Sequence, residues 1–245
     1  NQLAREAYES ARYDDAIEIW LTAAPYAELS ADTLYHIGNA CYRAGSTGHA
    51  ALYYRRALAR DPQHAEARQN LRFIERKVGS LSIKHEDYQY LIARLPLEAW
   101  RSATWGGIWL CVLSVLCFPA TRRGAHLRQV AIAALVISPL LAVGGGLGWH
   151  YYPRDAAFAA IEDQAVIITP GSQLYSDASR NAPPVIQAPP GSLCEVLHQT
   201  GEWTYVAFAS GTRGWVPSSS IRSILPDKAP ELPRIPKPVA DETNA

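Results

Sequence analysis

Methionine is missing altogether from this chain of 245 residues, and phenylalanine and cysteine are reduced to four each. Net charge is missing as well, since 23 Lys and Arg stand against 23 Asp and Glu. Without a basic excess the chain lacks the electrostatic footprint of a nucleic-acid binder, so no nucleic acid is expected as a partner. The cysteines, Cys41, Cys111, Cys117 and Cys194, are too scattered for a disulfide framework and form no ligand set with metal spacing. None of the seven His takes part in an HExxH pattern, and there is no GxxxxGK[ST] or GxGxxG phosphate loop. Cys194 and His198 could be imagined as a nucleophile and its base, but neighbouring strand positions rarely build an exposed, oriented pair. The expectation is therefore no enzymatic activity, no metal and no cofactor. The initiator Met is among the missing residues, so Asn1 is either a processed terminus or an arbitrary boundary; the expectation is an exported chain whose N-terminal signal peptide has been removed.

Carboxylates are locally missing too. Residues 101–154 hold Arg101, Arg122, Arg123, Arg128 and Arg154 but no Asp or Glu. Within that stretch, 103–120 (ATWGGIWLCVLSVLCFPA) and 130–149 (VAIAALVISPLLAVGGGLGW) carry no ionisable side chain. At 1.5 Å per residue each is about 27–30 Å long as a helix, the thickness of a bilayer's hydrocarbon core. They are read as a two-helix transmembrane hairpin spanning 103–150. Arg122, Arg123 and Arg128 in the connecting loop mark that loop as cytoplasmic. Trp100, Trp105 and Trp109 at one end, with Trp149, Tyr151 and Tyr152 at the other, read as one aromatic belt. Ser138 and Pro139 are expected to kink the second helix, the Ser helping the carbonyl that Pro frees. Gly144 and Gly148 have GxxxG spacing, which suits close packing on a partner helix or on the first span. No intramembrane charge points to an ion path.

The first 79 residues repeat with a period of 34, which places Tyr8 under Tyr42, Trp20 under Tyr54 and Ala23 under Ala57. The fuller copy carries Leu34, Ile37, Gly38, Ala50, Tyr54, Ala57, Leu58 and Pro62. This pattern resembles the tetratricopeptide repeat, a helix-turn-helix unit of that period. A third copy from Ala65, with Leu71 in register, drifts and reads as a capping helix. The resemblance implies a concave peptide-binding face formed by Arg5, Tyr8, Asp32, Tyr35, Asn39, Tyr42, Arg43 and Gln69. Residues 80–102 then form a connector with Leu91, Ile92, Leu95, Leu97 and Trp100 on an approximate helical face broken by Pro96, as in an interfacial helix.

Past Arg154 the chain changes to short β-type runs at 165–168, 192–197, 203–207 and 214–217, punctuated by Gly, Pro and Ser. Pro189, Pro190, Gly191, Glu195, Gly201 and Trp203, followed by Gly214, Trp215, Val216 and Pro217, resemble a bacterial SH3 domain over 163–225. Its groove would be lined by Tyr175, Trp203, Tyr205 and Trp215, since aromatic grooves hold extended ligands. Taken singly, Trp203 and Trp215 read as core residues of a very small barrel. Residues 226–245 are rich in Pro and charge and are expected to be an extended, disordered tail.

The sum is a multidomain membrane protein: α-helical tetratricopeptide repeats, a two-helix transmembrane hairpin and a small all-β SH3-like barrel. In that order the parts resemble the BatE proteins of the bacterial aerotolerance operon. The resemblance implies a membrane-anchored, non-enzymatic accessory subunit in the inner membrane, with both soluble parts in the periplasm. Its partners would be the lipid bilayer and membrane proteins with von Willebrand A domains that work with MoxR-type ATPases. The alternative expectation is an envelope anchor or sensor that binds peptidoglycan.

Overall fold

The computed structural model describes residues 2–80, 87–119, 124–153 and 156–225. The expected tail at 226–245, the loop residues Arg122 and Arg123, and Arg154 lie outside the described residues. The chain divides into two compact units, Asn1–Ile83 with Asp155–Ala245, and Lys84–Arg154.

The first unit begins with five helices: α1 (Gln2–Glu9), α2 (Tyr13–Thr22), α3 (Ala31–Arg43), α4 (Thr47–Arg60) and α5 (Ala65–Val78). Each packs on the next. Local chemistry sets their ends. The Ser30 hydroxyl accepts from the Thr33 amide to start α3, and His64 Nδ1 accepts from the Ala67 amide to start α5. Gly79, at φ 65°, closes α5 in the left-handed region that only glycine enters at little cost. Gly38 is required where α3 meets α4, because a Cβ there would lie 2.7 Å from the Tyr54 ring.

The same unit continues with β1 (Gln164–Ile167), β2 (Ser172–Tyr175), β3 (Pro184–Ala188), β4 (Leu193–Thr200), β5 (Trp203–Phe208), β6 (Arg213–Pro217) and β7 (Ile221–Ser223). They form one antiparallel sheet in the order β3-β2-β6-β5-β4-β1-β7. Strand β1 alternates between two cores. Ala165 and Ile167 join Leu174, Cys194, Val206, Phe208, Val216 and Ile221 inside the sheet. Val166, with Ile168 just beyond the strand, instead joins Leu193, Ile224 and the helix core built on Ile37, Ala51, Tyr53 and Ile74.

Helix α4 is the seam. A Cβ on Gly48 would run into the backbone of Ile168, and one on Gly191 would sit 3.1 Å from Ala51. Arg56, 3 % exposed, donates from Nε to the Ile224 carbonyl at 2.9 Å and from Nη2 to the Ser223 carbonyl at 3.0 Å. Its guanidinium also lies over the rings of Tyr53 (5.0 Å) and Tyr26 (5.3 Å).

The second unit holds α6 (Asp87–Ile92), α7 (Leu97–Cys117) and α8 (Ala125–His150). Helices α7 and α8 meet through small residues. A Cβ on Gly107 would come within 2.7 Å of the Ser138 carbonyl, one on Gly145 within 2.6 Å of the Thr104 amide, and one on Gly148 would enter the Trp100 ring. Large apolar side chains point outward instead, among them Trp109, Leu116, Leu140 and Val143.

The expected three-module architecture is corrected on three points. The helices and the sheet are one unit and not two separate domains, because they share the Val166, Ile168 and Ile224 core and the Arg56 bonds. The expected small barrel is a seven-stranded sheet in which the Gly-Trp-Val-Pro strand, β6, lies between β2 and β5. Finally, one described helix is long and apolar enough to cross a membrane, Arg128–His150, with a mean hydropathy of 2.2. Helix α7 carries Glu98 and Arg101 in its first turns and ends at Cys117. That leaves an ion-free stretch of about 24 Å, short of the roughly 30 Å hydrocarbon core. The expected two-span hairpin is therefore corrected to a single candidate span among the described residues.

Two further expectations change. Helix α8 runs on through Pro139, and the buried Ser138 hydroxyl makes no hydrogen bond, so it does not satisfy the freed carbonyl. Gly144 faces open space, and the close approach is made by Gly145 and Gly148.

Candidate binding surfaces

Two surfaces of the first unit collect the polar and aromatic side chains. The first is a groove of about 470 Å³ lined by Tyr8, Asn39, Tyr42, Arg43, Tyr54, Asn70, Phe73 and Ile74. Helices α1, α3, α4 and α5 each contribute, so the groove exists only in the folded array.

Its floor is a closed polar triangle. Tyr54 donates its hydroxyl proton to Asn39 Oδ1 at 2.7 Å, and Asn70 Nδ2 donates to Asn39 Oδ1 at 3.0 Å and to the Tyr54 oxygen at 3.3 Å. Burial pushes the Tyr54 phenol up, so it remains a neutral donor at physiological pH. One wall is aromatic and basic. Tyr42 meets Phe73 edge-on at 5.9 Å, and Lys77 lies over the Tyr42 ring while donating to its hydroxyl at 3.0 Å. Arg43 stands exposed beside them, and no carboxylate lines the groove.

Of the eight residues expected on this face, Tyr8, Asn39, Tyr42 and Arg43 line the groove. Asp32 sits instead in the first turn of α3, 3.3 Å from His64 Nε2. Tyr35 is half-buried among the rings of His36, Tyr54 and His64. Arg5 and Gln69 are exposed on α1 and α5, away from the lining. Asn70 and Phe73 were missed because the third copy was read as a cap. Phe73 falls 34 residues after Asn39, so carrying the period one step further would have found it.

The second surface is the outer face of the sheet. Tyr175 and Tyr205 both pair in register with Trp215, His198 pairs with Tyr205, and Trp203 pairs with Pro217. Between them Thr204, Val206 and Val216 turn inward and are almost fully buried. All four aromatic residues expected in a groove therefore share one half-buried face. Tyr175 meets Trp203 at 5.6 Å, Tyr205 meets Trp215 at 5.1 Å, and His198 approaches Trp215 at 6.3 Å. Trp203 and Trp215 are not core residues, since the core side of these strands is filled by Leu174, Val206, Phe208 and Val216. Their placement follows from the period of two, because a residue opposite an inward Val or Thr must face out.

The remaining chemistry-bearing groups are not assembled. The register shifts between Val196 and His198. Cys194 is buried in the sheet core, donates to the Ala165 carbonyl and has its thiol pushed up to about 12 by burial. His198 lies on the outer face, hydrogen bonded to Thr200. Cys41 is buried too, and burial raises its thiol further. His49 is drawn down to about 4 by burial, with Arg222 and Arg56 adding to the effect, and it is bonded to the Ser46 hydroxyl at 2.8 Å. No group of three or more His, Cys, Asp or Glu is arranged to hold a metal among the described residues. No known family, curated protein or solved structure matches the chain.

Proposed function

We propose that this protein is a membrane-anchored, non-enzymatic docking subunit that holds an extended acidic segment of a partner protein in the groove between α1, α3, α4 and α5. The observation that carries the reading is the groove itself. It has a hydrogen-bonding floor at Asn39, Tyr54 and Asn70, a cationic rim at Arg43 and Lys77, and no carboxylate in its lining. A backbone laid across such a floor finds both donors and acceptors, and acidic side chains find the rim. Anchoring is assigned to α8, whose outward apolar side chains and small-residue contact with α7 invert the pattern of a soluble helix pair. The resemblance to the aerotolerance-operon proteins supplies the class of partner, a membrane protein with a von Willebrand A domain.

Affinity purification of the full chain from native membranes in mild detergent tests the reading, with Tyr42→Ala/Arg43→Glu as the comparison. A partner recovered with the native chain and lost with the double variant, at unchanged thermal stability, supports it. Equal recovery with both chains overturns it.

A further inference from the structure

Helix α5 is the last of the helical array, and its outward charge is of one sign. Ala67, Leu71 and Ile74 are buried, which turns Arg68, Arg72 and Arg76 outward as an exposed stripe four residues apart. From Arg68 to Arg76 the stripe runs about 12 Å along the helix. The two carboxylates of α5 do not offset it. Glu75 is largely buried and bonded to Arg55 at 2.6 Å, and Glu66 lies in the first turn, 3.2 Å from His64 Nδ1. Arg68 and Arg76 donate to the Pro62 and Arg72 carbonyls, and none of the three arginines forms an ion pair among the described residues.

An end helix that is merely solvated needs only a mixture of polar side chains. The opposite end of this array has the opposite sign. Helices α1 and α2 expose Glu6, Glu9, Asp14, Asp15 and Glu18 against the single cation Arg5. The basic end is also the one that leads toward the membrane in sequence. Helix α6 begins nine residues after Val78, and the chain then exposes Tyr88, Tyr90, Leu91 and Leu95. Residues 101–154, which contain the candidate span, hold no Asp or Glu. Cations, then exposed aromatic and leucine side chains, then an apolar span is the order in which a chain passes an anionic headgroup layer and enters the bilayer.

We propose that the outward face of α5, at Arg68, Arg72 and Arg76, docks on the anionic phospholipid headgroups of the bilayer that anchors the chain. Each guanidinium can hold a phosphate oxygen pair in its planar fork, while the acidic α1 and α2 end is repelled by the same surface. The proposal rests on the anchoring assigned to α8, but not on the groove, whose rim is Arg43 and Lys77.

The test places the full chain in lipid discs of phosphatidylcholine, alone or with about one-third phosphatidylglycerol as the anionic component. Modification of arginines by phenylglyoxal is followed residue by residue with mass spectrometry. A cation beside an anionic surface gains roughly fivefold in partitioning, so three together give on the order of 100-fold. At about 0.1 M salt, Arg68, Arg72 and Arg76 are expected to react at least about tenfold more slowly in the anionic discs, with Arg5 unchanged. The difference should vanish near about 1 M salt, where the screening length falls to about 3 Å. In Arg72→Glu/Arg76→Glu the protection of Arg68 should disappear. If charge reversal unfolds α5, Arg72→Gln/Arg76→Gln serves, since it leaves one charge and at most about fivefold protection.

Equal reaction rates in the two kinds of disc overturn the proposal, as does protection that survives high salt. Protection that grows with protein concentration in neutral discs, and that Asp14→Asn/Asp15→Asn removes, overturns it and gives the face to a second copy of this chain. A chain that enters neither kind of disc refutes the α8 anchor itself, and the proposal falls with it.

Discussion

If Arg56 couples the helices to the sheet, Arg56→Leu should loosen β7 and β1 before it loosens the rest. The native guanidinium makes two charge-assisted hydrogen bonds to the Ser223 and Ile224 carbonyls and stacks on two tyrosine rings. A hydrogen bond from a charged donor contributes about 1.5–3 kcal/mol, and the loss is felt in full when the acceptor stays buried without a partner. The ring contacts add about 1 kcal/mol. The substitution should then cost about 4–7 kcal/mol, a large part of the 5–15 kcal/mol that typically holds a domain together.

Hydrogen exchange of the full chain in detergent reads this by segment. Peptides covering 164–168 and 221–225 should lose protection by roughly 10³- to 10⁵-fold, while those from α1 and α2 should change far less. Arg56→Lys keeps the charge and one donor, so about half the loss is expected. Unchanged exchange in β1 and β7 would refute the assignment of Arg56 as the coupling residue. Equal loss in α1 and β7 would show that the two layers unfold together whatever Arg56 does, which also contradicts the local reasoning.

Two further outcomes follow from single residues. His49 is held near pKa 4 against an ordinary 6.5, so its contribution to stability is complete above about pH 6.5 and is lost as pH falls through 4. The folded state should lose about 3 kcal/mol over that window in chemical denaturation, with His36, also lowered by burial, acting in the same direction. His49→Gln should flatten most of the slope, and an undiminished slope would sink the explanation. In the second unit, Gly145→Leu meets the Thr104 backbone, which cannot rotate away, and should lower stability by about 1–3 kcal/mol. Gly144→Leu meets nothing within 4 Å and should be close to neutral, so equal effects on thermal unfolding in detergent would contradict the packing described for α7 and α8.

Most of the local elements were legible in the sequence, and the error lay in treating them as separate modules. The runs read at 165–168, 192–197, 203–207 and 214–217 fall on β1, β4, β5 and β6 within three residues at each end, because the unbroken apolar run of β1 and the alternation of β5 and β6 survive in the letters. Strands β2, β3 and β7 were missed. They are three to five residues long, β2 and β3 are interrupted by a register shift, and β3 begins with proline, so none offers enough alternation to read. The groove showed partly, since Tyr8, Asn39 and Tyr42 follow the period of the helical array, whereas Asp32 and Tyr35 are claimed by His64, whose position no periodicity announces.

One clue to the single unit was present all the same. The run Ala165–Ile168 has no polar residue, and a strand apolar on both sides needs cover on both sides. A five- or seven-stranded sheet folded on itself covers only one. The second cover had to come from elsewhere in the chain, and α4 is suited to it: it presents Gly48 and Ala51 where the backbone of Ile168, just beyond β1, and the turn at Gly191 come close, and Arg56 where it reaches the Ser223 and Ile224 carbonyls. Gly38 of α3 closes on Tyr54 of α4 where the two helices meet, while Gly48 opens α4 to the Ile168 backbone, and so α4 serves both the floor of the groove and the support from the sheet.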